Sequence, residues 1–295
     1  MIKIGIIGMS EGNGHPYSWA AIFNGFDKAE MAKCPFPVIP EYLSNEIFPD
    51  NFLMNLAEVT HIWTQDINMS KKIAAASKID HVVNNIEDLS NCVDAILLAR
   101  DDAENHIQMA MPFIKAGLPI FIDKPFALKI KDANKMLSSQ KFENQIFTCS
   151  SLRYARELIL DKEEADMLGH IEHVEGTIMN KWETYGIHLL EPLVVQLPNR
   201  GKLINISSHK SGDYHVVNIK WERCLATLKI TGSRSSDLTL SFSGNNNTVL
   251  KKFKDSFSSF KTSLSTFVYS INTKEIIISR EETLEIVEIL EKGII

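Results

Sequence analysis

Apolar and polar positions alternate with two different periods along this chain. In the first 125 residues, short β-branched runs (KIGIIG, VTHIWTQD, HVVNN, VDAILLAR, LPIFID) are separated by stretches with helical spacing. SWAAIFNGFD places Trp19, Ile22, Phe23 and Phe26 at that spacing. NMSKKIAAASKI and ENHIQMAMPFIKAG continue it, the latter closed by Gly117, and IEDLSNC reads as a shorter helix. Strands divided by helices of this length predict βαβ units with right-handed crossovers, and so a doubly wound parallel sheet. Residues 29–58 carry four prolines and interrupt the alternation. They read as an elaborated loop, with a short helix near NFLMNLA.

The texture changes after Pro125. LKIKDANKMLSSQKF is a polar-faced helix and QIFTCSSLRY a strand. From about residue 170 strands dominate: IEHVEGTIM, LINISSHK, YHVVNIKW, LATLKITG and LTLSFSG. Such a run predicts a mainly antiparallel, open sheet. SREETLEIVEILEKG closes the chain as a helix, with Ser279 as N-cap, Glu282 three residues on and Gly293 at its end. The expected fold class is α/β: a doubly wound N-terminal domain over 1–125 and an α+β domain over 126–295. Packing of helix 279–293 back on the first domain is left open.

The 295 residues are 44% hydrophobic and 23% charged, with net charge −6 and no basic block. This reads as an ordinary globular chain and argues against nucleic acid or an anionic membrane as partner. Cys34, Cys92, Cys149 and Cys224 form no CxxC pair, so neither a metal site nor a disulfide framework is expected. The apolar start is too short for a signal peptide. A cytoplasmic location is the simplest expectation.

Chemistry concentrates at strand ends. After the first strand comes Gly8-Met9-Ser10-Glu11-Gly12-Asn13-Gly14-His15-Pro16. A dinucleotide loop needs glycines for close approach to a pyrophosphate, with a helix N-terminus behind it. Gly8 fits, Ser10 stands where a second glycine is usual, and Gly12 and Gly14 are displaced. The loop reads either as a cofactor cradle, with Gly8, Met9, Ser10, Asn13, Gly14 and His15 in contact, or as a simple turn. Asp66, after the second strand, can accept ribose hydroxyls and repel a 2′-phosphate, or can cap the next helix; the two roles are compatible. Ala99, Arg100 and Asp101 follow the fourth strand. His106 lies in the next helix's first turn and joins the expected cofactor contacts without a catalytic role. The fifth strand stops on Asp123-Lys124-Pro125, where proline keeps Lys124 extended and aims its amine off the strand tip.

The sequence resembles the Gfo/Idh/MocA family of glucose–fructose oxidoreductase and inositol dehydrogenase. KIGIIG, VDAILLAR followed by His106, AGLPIFIDKP and YGIHLLEPL carry the likeness. The family shows Glu-Lys-Pro or Asp-Lys-Pro after its fifth strand and a His two residues beyond a Gly, here Asp123-Lys124-Pro125 and Gly186-Ile187-His188. The resemblance implies an N-terminal Rossmann domain binding NAD, with NADP possible, and a C-terminal sheet domain. It implies a polyol, sugar, amino sugar or cyclitol substrate, and a homodimer or homotetramer built through that sheet. It also implies Lys124 and His188 as catalytic pair, His188 as acid/base and Lys124 stabilising charge on oxygen. Arg153, Tyr154, Trp182, Glu183, Thr184 and Tyr185 are further candidates for substrate contact. Thr184 stands where many members have Asp. Two rivals remain: a family glycosidase that retains NAD, and a non-catalytic nucleotide or sugar sensor.

Overall fold

The computed structural model describes residues 1–295. The chain divides into two compact units: Met1–Ala127, Lys131–Thr148 and Phe260–Ser279 form the first, and Leu128–Ile130, Cys149–Ser259 and Arg280–Ile295 the second.

In chain order the first unit contains β1 (Ile2–Ile7), α1 (His15–Asn24), α2 (Lys28–Met31), α3 (Val38–Ser44), β2 (Ala57–Trp63), α4 (Ile67–Ser77), β3 (His81–Val82), β4 (Ala95–Leu98), α5 (Ala103–Ala116), β5 (Ile120–Ile122), α6 (Ile130–Ser138) and β6 (Ile146–Thr148). Its sheet runs β3-β2-β1-β4-β5-β6, every pair parallel. The order reverses between β1 and β4, the topological switch point at whose carboxyl edge such sheets bind ligands. Ile4, Ile6, Ile7 and all of Ala95–Leu98 are fully buried, as strands covered on both faces require. Burying each large aliphatic side chain contributes about 1.5–3 kcal/mol.

The sheet extends beyond the boundary expected at residue 125, because β6 is its sixth strand. QIFTCSSLRY is strand only over Ile146–Thr148. Ser151–Tyr154 is a 3₁₀ turn capped by the Ser150 side chain, so Arg153 and Tyr154 stand on a turn and not at a strand end. The proline-rich insertion has its helices at α2 and α3, while NFLMNLA is a turn running into β2. Asp27 caps α2 through two backbone N–H groups, and Pro40 falls early in α3, where its missing N–H costs little.

The second unit contains α7 (Lys162–Leu168), β7 (Ile171–Ile178), α8 (Trp182–Gln196), β8 (Leu203–Ser211), β9 (Tyr214–Trp221), β10 (Leu225–Ile230), β11 (Thr239–Gly244) and β12 (Thr248–Lys252). α9 (Ser256–Thr273) begins here and runs into the first unit's last segment; α10 (Arg280–Gly293) returns to the second unit, packing on α8 and β8. The sheet runs β12-β11-β7-β10-β9-β8, with β7–β10 its single parallel pair. The expected mainly antiparallel sheet is therefore present, with α7, β12 and α9 in addition to the elements read from the sequence. Its inward positions, Ala226, Leu228, Ile230, Leu240 and Phe242, are buried. Thr227, Lys229, Thr239 and Ser241 alternate with them and point the other way. Ala226, Leu228, Ile230, Leu240 and Phe242 thus serve this unit's own core, while Leu225 lies exposed on the opposite face.

Candidate functional site

In the first unit, the loop after β1 is clamped from β2 and β4. The Gln65 amide takes the Met9 N–H (3.1 Å) and donates to the Met9 carbonyl (2.5 Å). Arg100 donates to Gln65 (2.9 Å) and to the same carbonyl (3.1 Å), while the other edge of its guanidinium forks onto Asp102. A Cβ at Gly8 would come within 2.4 Å of the Pro16 ring, so a side chain there would push β1 away from α1. Gly12 has φ +77° and open space beside it. The backbone N–H groups of Glu11 and Gly12 make no hydrogen bond within the chain. Two free amides on an open glycine turn in front of a helix N-terminus suit a pyrophosphate. The clamp on Met9 means that its own N–H is already spent.

Charged groups line the same edge. Ser10 donates to Asp101 (2.6 Å), and Lys124 Nζ lies 3.3 Å from the other Asp101 oxygen. Burial acts to raise the Asp101 carboxyl, but the Lys124 ammonium and the Ser10 hydroxyl outweigh it and hold it below the usual carboxylate range. Asp123, fully buried, accepts from the Lys124 N–H (2.7 Å), Asn13 (3.1 Å) and the His15 ring (2.5 Å). His15 stacks on Trp19 with ring centres 5.0 Å apart. Ser10, Asn13, His15, Asp101, Asp123 and Lys124, all chosen from sequence, therefore form one connected network. Ala99 and Pro125 are buried beside it.

Two other sequence candidates have different surroundings. His106 is fully buried, with both ring nitrogens on carbonyls, those of Phe126 (3.1 Å) and Arg100 (2.8 Å). It braces the end of β4 against the chain beyond β5 and presents neither nitrogen to a ligand. Asp66 stands three residues beyond the end of β2. It is exposed and caps α4 through the Asn68 N–H (2.9 Å).

In the second unit, α8 carries the histidine. A Cβ at Gly186 would meet the Trp182 ring at 2.6 Å, which explains a glycine inside this helix. Trp182 itself is core, fully buried, with its N–H donating to the Leu290 carbonyl (3.0 Å). This corrects its assignment to a sugar-facing surface. Arg153 is likewise committed elsewhere: it donates to Glu191 (2.7 Å) and Glu282, all within this unit. Burial lowers the guanidinium's proton affinity, and the two carboxylates more than restore it. Arg153 therefore fastens the 3₁₀ turn to α8 and α10. Glu183 lines an open cavity of about 420 Å³ with Lys181, Asp213 and His215. Five residues of helix turn it well away from His188.

His188 is half-buried, with Tyr185 edge-on to its ring at 5.3 Å. Thr184 and Tyr185, also half-buried, lie one turn before it. Its Nδ1 lies 2.7 Å from Ser150 Oγ. Ser150 and Gln65 are the neighbours that sequence reasoning missed; each meets its partner across a long stretch of chain, with no local motif. No group of three or more His, Cys, Asp or Glu side chains is placed to hold a metal ion, and no helix is long and apolar enough to cross a membrane.

Comparison with known proteins agrees with this architecture. A stretch of scyllo-inositol 2-dehydrogenase (NADP(+)) IolU from Bacillus subtilis (strain 168) is 26% identical over 99 residues, 31% of this chain and 30% of that relative. The structure of GenD2 from gentamicin A biosynthesis, in complex with NAD, superposes with a TM-score of 0.74 at 12% identity, over 99% of this chain and 93% of the other. That of a putative myo-inositol dehydrogenase from Sinorhizobium meliloti 1021 gives 0.71 at 15% identity, over 99% and 95%. The family model described as oxidoreductase family, NAD-binding Rossmann fold, matches residues 2–150. The chain belongs to the Gfo/Idh/MocA oxidoreductase family.

Proposed function

We propose that this protein is an NAD(P)-dependent dehydrogenase or reductase acting at a hydroxyl or carbonyl carbon of a sugar, amino sugar or cyclitol. The observation that carries this reading is the line from the cofactor loop to the Lys124 amine through Ser10 and Asp101. It supports an ammonium held beside the place where the loop would hold a dinucleotide. Gly8, Ser10, Gly12, Asn13 and the α1 N-terminus would hold the pyrophosphate, and Asp66 the ribose hydroxyls, which favours NAD over NADP. When bound, the nicotinamide supplies the hydride acceptor or donor. Lys124 stabilises the charge that develops on the substrate oxygen, and His188 exchanges that oxygen's proton. The sugar and cyclitol class is supported by the inositol dehydrogenase relatives.

A screen of polyols and nucleotide sugars by NADH absorbance tests this, with mass spectrometry for cofactor carried through purification. Turnover on a member of the class, lost in His188→Asn, is expected. Tightly held cofactor without turnover on any of them would overturn it in favour of a binding protein, a reading the clamped Met9 amide favours.

A further inference from the structure

We infer that Ser150 sets the tautomer of His188, keeping the proton of the neutral ring on Nε2. The inference rests on the reading of His188 as the group that faces the substrate oxygen.

Ser150 is fully buried at the start of the 3₁₀ turn. Its hydroxyl has two partners: the Leu152 N–H at 3.2 Å and His188 Nδ1 at 2.7 Å. A serine hydroxyl accepts up to two hydrogen bonds and donates one. Leu152 is a donor and occupies one acceptor position. The hydroxyl's own proton then has a single acceptor within reach, His188 Nδ1. Donation there requires Nδ1 to carry a lone pair, which places the ring proton on Nε2. In the opposite tautomer Nδ1–H would donate to Oγ, and the serine proton would be left buried without an acceptor. That loss disfavours the Nδ1–H form by roughly tenfold or more.

A carboxylate in Ser150's place would do the reverse, holding the proton on Nδ1 and leaving Nε2 as a base. The resting ring instead offers an Nε2–H donor, suited to polarising a bound carbonyl oxygen. Acting as a base toward a hydroxyl requires the serine proton to turn away first. Ser150 is thus a positioning residue, and it biases the site toward the carbonyl side of the reaction.

Protein labelled with ¹⁵N-histidine and studied by long-range ¹H–¹⁵N correlation, at a pH where the ring is neutral, tests this without substrate. The His188 signals are assigned by their loss in His188→Asn. Wild type should show a pyrrole-like Nε2 and a pyridine-like Nδ1. Ser150→Ala should give a mixed ring, and Ser150→Thr should keep the wild-type pattern. With a substrate from the screen, Ser150→Ala should lower kcat for carbonyl reduction about tenfold with little change in KM, restored by Ser150→Thr. A wild-type ring protonated on Nδ1, or a ring indifferent to Ser150→Ala, overturns the inference. Normal turnover in His188→Asn would overturn the catalytic reading instead, and leaves the tautomer measurement intact.

Discussion

Lys124 stands among charges, whereas His188 stands beside a neutral hydroxyl. In the first unit, Asp101 lies 3.3 Å from the amine and Asp123 takes the Lys124 backbone N–H, and both carboxylates are themselves bound by Ser10, Asn13 and His15, residues of the loop expected to meet the cofactor. In the second unit Arg153 pairs with Glu191 and Glu282, and Ser150 Oγ lies 2.7 Å from the imidazole. A charged network changes with the ligand that enters it. A neutral partner fixes orientation. This contrast is what the roles proposed for the two residues, electrostatics for the lysine and proton exchange for the histidine, would use.

The sharpest way to break this comparison is to remove each group. On the proposed reading that both act on one substrate oxygen, Lys124→Ala and His188→Asn should each lower kcat by about a hundredfold or more, and the double variant by less than their product. Steady-state rates on the screened substrate decide it; a fully multiplicative loss would mean that the two groups act independently. Arg153→Ala comes next. It leaves Glu191 buried and uncompensated, and should cost about 3–5 kcal/mol, read as a lower urea midpoint by circular dichroism. Replacing Arg153 and Glu191 together by apolar residues should recover part of it; a stable single variant would show that Glu191 does not depend on Arg153 for compensation. Asp66→Ala should narrow the proposed preference of NAD over NADP by about tenfold in calorimetric affinity. The smallest effect is acid dependence in the first unit. The Asp101 carboxyl is held below its ordinary range, so its contribution is full above about pH 4 and fades as pH falls through the depressed folded value. Asp101→Asn should remove that limb, of order 1 kcal/mol, from unfolding followed between pH 5 and about pH 2.

What could be read in the sequence was local. The Asp-Lys-Pro tripeptide, the glycine turn and the strand–helix alternation each lie within a few neighbouring residues, and the structure has them where the pattern put them. Gly186 was legible as a motif, although its reason, the Trp182 ring, was not. α9 escaped because serines break its apolar contrast. FKDSFSSFKTS reads as solvated, yet Phe257, Leu264, Phe267 and Val268 are buried. Ser259, Ser263 and Ser270 are buried with them, each bonded to a carbonyl three or four residues earlier. Ser150 and Gln65 were invisible for a different reason. Their partners lie 38 and 56 residues away, and no periodicity encodes such a meeting.

The route of the chain bears on how it is made. The first unit takes its last segment from Phe260–Ser279, after nearly all of the second unit has been synthesised. Neither unit can be finished on the ribosome as an N-terminal piece, because the parallel sheet waits for the Phe267 helix to cover Phe121 and Phe147. A fragment ending at Thr148 would expose those rings and call on chaperones. The two halves of this protein are thus completed together.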